Sequence, residues 1–203
     1  MLLIFPYRTD APMYHFPFAT IGLIVVNVVT FFALGIEKEY ILEYGHGLQP
    51  AQWVTSNFVH GSFLHLLGNM IALWTFGLLV EGKVGPLVFL PLYLAIGAIQ
   101  CGVEQAVMLG ADGGSFGASA IIFALMAISF VWAPKNDVGV FGLVVVRPVE
   151  FDLPIVVFSG LLFVWEFVQM SLVGFRISTA LLHMSGALVG FGVGILFLKC
   201  GWV

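Results

Sequence analysis

Six stretches of this chain are apolar for long enough to cross a bilayer, at about residues 17–35, 59–80, 86–109, 116–133, 153–173 and 178–199. A span needs roughly 20 such residues in helical form, because hydrocarbon offers no partner to an unpaired backbone amide. The pattern predicts an all-α polytopic membrane protein, a bundle of six transmembrane helices. Composition agrees, with 9% charged against 61% hydrophobic residues, a balance outside the soluble class. The net charge of -4 includes no basic run, so nucleic acid is not an expected partner. Cys101 and Cys200 are far apart in apolar context and read as packing residues.

The connections are short except the first, about 36–58, where Glu37, Lys38, Glu39, Glu43, His46, Gln52 and Trp53 predict an interfacial structure rather than a free loop. Residues 1–203 are expected to form a single membrane domain, with a short cytoplasmic N-terminal segment over 1–16. That segment has no small-residue cleavage site behind a short apolar core, so the first helix is expected to serve as its own insertion signal. With the N-terminus inside, the cytoplasmic segments carry Arg8, Lys83, Lys135, Arg147 and Lys199, leaving Lys38 and Arg176 outside. The positive-inside rule then puts both termini in the cytoplasm, and a bacterial plasma (inner) membrane is the simplest home. Asp112, Glu81, Lys83 and the charges between Lys135 and Asp152 read as solvated loop groups, and Glu104 and Gln105 as interfacial ones.

In this topology the second, fourth and sixth helices all begin at the outer face, and each carries polar residues early. His65 and Asn69 are four apart and share a helix face. Ser119 follows the glycine-rich turn Gly113-Gly114-Ser115-Phe116-Gly117, and His183 lies about five residues into the last helix. At about 1.5 Å per residue, Ser119, His65 and His183 fall on the order of 10 Å below the outer surface, with Asn69 somewhat deeper. Polar groups at one depth in hydrocarbon mark a cavity or a site. Gly186, Gly190 and Gly194 form a stripe on which another helix can lie closely. If that helix is the fourth, His183 reaches the Ser119 hydroxyl and can take its proton, with Phe123 packed beneath the imidazole. His65 and Asn69 then either stabilise an oxyanion or form a polar clasp between helices. Ser115 reads as a helix cap, His60 as a local hydrogen-bonding group, and His15 and His46 as solvated. No carboxylate or thiol accompanies the histidines in zinc spacing, so neither a metal nor another cofactor is expected.

These residues resemble the rhomboid family of intramembrane serine proteases. The likeness rests on His60-Gly61-Ser62-Phe63-Leu64-His65-Leu66-Leu67-Gly68-Asn69-Met70, on Gly117-Ala118-Ser119 and on His183-Met184-Ser185-Gly186 with its following glycines. Gln52-Trp53 and Phe76-Gly77 through Gly85 extend it to about residues 17–199. The resemblance implies a Ser119–His183 dyad without a third carboxylate, and an oxyanion hole of His65, Asn69 and the Ser119 backbone N–H. It implies cleavage of single-pass membrane proteins near their helix ends, within the lipid bilayer. The family's fifth helix flanks substrate access, which makes Trp165 or Phe167 a gate; Glu166, in the outer half of that helix, reads as facing the wet cavity or snorkelling. Three positions depart from the family pattern: Ala120 stands where a glycine is usual, Leu182 where a small residue is common, and Val54 where an arginine often follows the tryptophan. Ala120 and the altered first loop motivate a second reading, a catalytically inactive rhomboid-like protein that binds transmembrane helices. A small transporter is disfavoured because the spans show no inverted repeat.

Overall fold

The computed structural model describes the backbone of residues 2–144, 147–173 and 177–203, and the side chains of 5–142, 148–164, 168 and 182–203. It is mostly helical. The principal helices are α1 (Phe18–Ala33), α2 (Phe63–Val84), α3 (Pro86–Val107), α4 (Ser119–Trp132), α5 (Ile155–Val173) and α6 (Ile177–Lys199). Among the described residues, Phe63–Val84, Pro86–Val107 and Leu182–Lys199 are long and apolar enough to cross a membrane, and Phe18–Ala33, Ser119–Trp132 and Ile155–Val164 are shorter apolar helices.

Local chemistry sets the helix limits. The Ser62 side chain caps α2 by accepting from the His65 N–H at 3.2 Å. Gly85, at φ +78°, ends α2 and delivers Pro86 to the first position of α3, where the missing N–H costs nothing. The start of α1 is capped from another helix: the Glu81 carboxylate accepts from the Ala19 N–H at 2.8 Å and from the Thr20 N–H and hydroxyl at 2.6 Å each. Glu81 is 0% exposed, which corrects its expected place among solvated loop charges. Its negative charge meets the positive end of α1 and the orphan amides there, so burial is offset by three hydrogen bonds.

The core runs through α2, α3 and α4, with Leu73, Phe76, Phe89, Tyr93, Leu125 and Ile128 among its fully buried side chains. α4 is buried on nearly all sides and lies directly on α6. A Cβ built at Gly186 would strike the Ala120 carbonyl oxygen, and one at Gly190 would strike the backbone of Ala124. Only hydrogen at these positions permits so close an approach.

A three-stranded antiparallel sheet, absent from the sequence expectation, joins the chain's start to the α4–α5 connection. Its order is β1 (Leu2–Thr9), β4 (Asp137–Val144), β5 (Arg147–Pro154), with Phe5 opposite Phe141 and Val140 opposite Phe151. The expected loop charges of residues 135–152 therefore belong mainly to a hairpin. Val138 and Val140 alternate inward and are 2% and 0% exposed, a period-two signal only two residues long. At the other end of the bundle, a two-residue ladder pairs β2 (Leu42–Glu43) with β3 (Gly114–Ser115).

Candidate active site

The glycine-rich turn enters α4 through Gly117, whose φ of +118° is a conformation that residues with a Cβ rarely adopt. The Gly117 N–H donates to the Ser56 carbonyl at 2.9 Å, fixing the turn to the first loop. Ser119 is thereby the first residue of α4, where backbone N–H groups have no acceptor within the helix. Its own N–H stands at the positive end of the helix dipole.

The glycine contact between α4 and α6 brings His183 to the same spot, with Nε2 2.7 Å from the Ser119 Oγ. His183 is 7% exposed, and the Phe123 ring lies under its imidazole at 4.4 Å between centroids and 12° between planes. Phe163 of α5 packs edge-on against Phe123 at 5.1 Å. The imidazole thus has a fixed plane and a dry face. The buried Ala120 methyl leaves the short Ser119–His183 separation intact, and the Ala120 carbonyl accepts from Gln100 Nε2 at 3.3 Å.

His65 and Asn69 converge on the same turn. A Cβ at Gly117 would lie 3.0 Å from His65 Cε1, 3.1 Å from its Nε2 and 3.8 Å from Asn69 Nδ2. Asn69 is 8% exposed, and its Nδ2 is buried with no hydrogen-bond partner among the described residues. A buried donor without an acceptor is costly in hydrocarbon and is the arrangement expected of a site that receives an oxygen from a ligand. His65 Nδ1 accepts from the Gly61 N–H at 3.4 Å, and His60 lies edge-on to the His65 ring at 5.1 Å. His60, just ahead of α2, is buried, and that burial together with His65 lowers its pKa to about 4. A neutral ring is the consequence.

The structure therefore gathers Gly117, Ser119, Phe123, His183, His65 and Asn69 at one place. The Trp165 gate expectation, with Glu166 and Phe167, concerns side chains outside the described residues.

A buried polar network behind the turn escaped the sequence reading. Gln105 Oε1 accepts from Trp53 Nε1 at 2.7 Å and from the Gln49 N–H at 2.8 Å, while its Nε2 donates to the Glu43 carbonyl at 2.6 Å. The Glu43 N–H donates to Gln52 Oε1 at 3.0 Å, and the Ser56 hydroxyl donates to the Gln52 carbonyl at 2.6 Å. Glu104 accepts from the Tyr44 hydroxyl at 2.6 Å and from Ser115 Oγ at 2.8 Å. Glu104 and Gln105 are 6% and 0% exposed, so they lie buried under the first loop instead of facing an interface, and Ser115 binds Glu104 instead of capping α4. Trp53 anchors the loop without an arginine beside it. The signal in sequence is the pair of adjacent polar residues ending α3, opposite a polar first loop.

Residues 47–200 match the family described as "Rhomboid domain". The chain is 30% identical over 143 residues to presenilin-associated rhomboid-like protein A, mitochondrial, of Danio rerio, covering 68% of this chain and 35% of that protein. It is 33% identical over 97 residues to rhomboid protease GlpG of Yersinia pseudotuberculosis, covering 45% of this chain and 33% of that one. The chain spans about a third of the length of these curated relatives.

Proposed function

Because the chain belongs to the rhomboid family, a family of integral membrane proteins, we propose that it is an intramembrane serine endopeptidase that cleaves single-pass membrane proteins with a Ser119–His183 dyad. The observation that carries this is the 2.7 Å separation of Ser119 Oγ and His183 Nε2 beside a helix N-terminus. The bundle would span the membrane six times as one domain over residues 1–203, both termini in the cytoplasm of a bacterial inner membrane and the dyad near the outer face. In this topology residues 1–16 lie on the cytoplasmic side, where β1 joins the sheet.

His183 Nε2 takes the proton of Ser119 as Oγ bonds to the scissile carbonyl carbon. The carbonyl oxygen becomes negative and is met by the Ser119 N–H, Asn69 Nδ2 and His65, donors already oriented where charge develops. The C–N bond then breaks and His183 returns its proton to the leaving amine. An ester on Ser119 remains. Water, deprotonated by His183, attacks that ester and restores the hydroxyl. Phe123 holds the imidazole plane throughout, and Gly117 leaves the space into which the oxyanion projects. Because a peptide inside a helix has its carbonyl paired and enclosed, the substrate must unwind locally, and Trp165 is the proposed gate through which it arrives.

A fluorophosphonate probe tests the dyad without a substrate. Ser119 should be phosphonylated in the unaltered protein and unlabelled in Ser119→Ala, with labelling in His183→Ala reduced at least about 100-fold, within the contribution of a positioned base. Equal labelling in His183→Ala would refute base activation.

A further inference from the structure

The three-stranded sheet at the bundle end opposite the dyad has two unlike faces, and its register assigns residues to them. Val138 stands opposite Thr9 and Leu153, Val140 opposite Pro6 and Phe151, and Gly142 opposite Val149. Paired residues share a face and successive ones alternate, so Val149, Phe151 and Leu153 lie on the side of Val138 and Val140. That side is seated on the bundle: Val138 and Val140 belong to one core with Leu79 and Val80 of α2, and Leu153 packs against it. The opposite side of β5 is charged. Asp152 Oδ1 lies 3.2 Å from Arg8 Nη2, and Glu150 accepts from the Tyr7 hydroxyl at 3.4 Å, with Phe5 on the same side.

Cover by the bundle runs out along the apolar face. Val138 and Val140 of the middle strand are 2% and 0% exposed, whereas Phe151 and Val149 of the edge strand are 40% and 39% exposed. β5 therefore overhangs the bundle on the side where it runs directly into α5, Pro154 being followed by Ile155. The first turn of α5 continues the uncovered apolar surface, with Val156 and Val157 41% and 44% exposed.

Direction and area identify what meets the overhang. A sheet face seated on helix ends lies across them, so the overhanging part of that face looks at the leaflet beside α5. The fifth apolar stretch begins at about residue 153, which puts Phe151 just outside the span. A strand rising along the membrane normal would carry Val149 about 13 Å beyond the span at about 3.3 Å per residue, whereas one lying across the bundle end keeps both residues at the interface. Two side chains about 40% exposed offer far less than the ~800 Å² per partner of a stable protein interface. A lipid interface accepts single apolar side chains while the carboxylates of the other face stay in water.

We propose that the β5 edge of the sheet lies in the plane of the membrane surface, with Val149 and Phe151 inserted among the lipids of the leaflet opposite the dyad. The proposal rests on the bundle's place in the membrane and is independent of the Ser119–His183 chemistry. Because Ile155 follows Pro154 directly, the anchored strand sets the depth of the inner end of α5.

Nitroxide scanning tests this in the full chain. Cys101 is buried and Cys200 exposed, so Cys200→Ser supplies the background for Val149→Cys, Glu150→Cys, Phe151→Cys and Asp152→Cys. Each labelled protein is placed in phosphatidylcholine vesicles, and collision with oxygen, which concentrates in hydrocarbon, is compared with collision with a water-confined nickel chelate. Labels at 149 and 151 should meet the chelate at least about tenfold less often than those at 150 and 152, because a hydrated chelate is excluded from hydrocarbon, and should meet oxygen more often. Equal chelate access at all four positions would overturn the proposal. Labels at 149 and 151 shielded from both reagents would overturn it in favour of a protein cover. If Asp152→Cys disturbs the sheet by removing the partner of Arg8, Glu150→Cys alone serves as the polar reference. Phe151→Trp gives a reading without labels: its emission should be blue-shifted and quenched by brominated phosphatidylcholine, and emission as in water without quenching would equally overturn the proposal.

Discussion

A buried amide donor with no acceptor raises the free energy of the empty protein, and Asn69, near Gly117, is such a donor among the described residues. If its role is to bind the oxyanion, Asn69→Ala should lower kcat about 100-fold or more, the usual effect of removing one oxyanion donor, while leaving the melting temperature unchanged or raised. A fall in melting temperature with kcat retained would instead mark a polar clasp between helices. Gly117 faces the opposite constraint. Its φ of +118° and the His65 ring 3.0 Å from its virtual Cβ mean that Gly117→Ala both strains the turn and displaces His65. We expect it to cost roughly 1–3 kcal/mol of stability and at least about tenfold in activity, read from thermal melts and from kcat/KM.

At the scale of elements, the contact between α4 and α6 decides whether serine and histidine meet. Gly190 lies on the backbone of Ala124, about two turns along α6 from His183. Gly190→Val must push the helices apart, and a shift of about 1 Å at the dyad is enough to cost on the order of 100-fold in kcat. Restored activity in the presence of that side chain would show that the glycine stripe is not what sets the geometry. Glu81 acts at the far end of the same scaffold. Glu81→Ala leaves the Ala19 and Thr20 amides unpaired and should destabilise the protein by roughly 1–3 kcal/mol for each amide, seen as a lower melting temperature in detergent. Activity at temperatures well below the melt should persist, because Glu81 lies at the bundle end remote from the dyad.

Across the whole molecule, the first loop, α3 and the turn before α4 form one hydrogen-bonded body behind the site, with Gln105 holding the loop and Glu104 holding the turn. Gln105→Ala should free the loop, so that limited proteolysis within residues 36–58 accelerates while far-ultraviolet helicity is retained. How much of this was legible in sequence depended on the range of the interactions concerned. Long apolar runs gave the helices to within a few residues, and helical rise put Ser119, His65 and His183 at one expected depth, with Asn69 somewhat deeper. The glycine stripe called for a closely packed helix, and the structure supplies α4 as that helix. What stayed hidden was set by pairings between distant segments. Glu81 looked like a loop charge because its three donors lie some 60 residues earlier in the chain. The hairpin of β4 and β5 was hidden because a strand needs far fewer residues than a span and its alternation is short, Val138 and Val140 separated by a glycine and followed by Phe141. Glu104 and Gln105 stood out as an adjacent polar pair near the end of α3, but what they bind is set by the loop folded over them.

The central claim is that this bundle hydrolyses peptide bonds through Ser119 and His183. Its most direct test is cleavage of a single-pass membrane substrate in reconstituted liposomes by the unaltered protein, Ser119→Ala and His183→Ala. The account predicts product from the unaltered protein and a loss of at least about 10⁴-fold in each variant, since a nucleophile and its base act as one unit. Undiminished cleavage in either variant would contradict it.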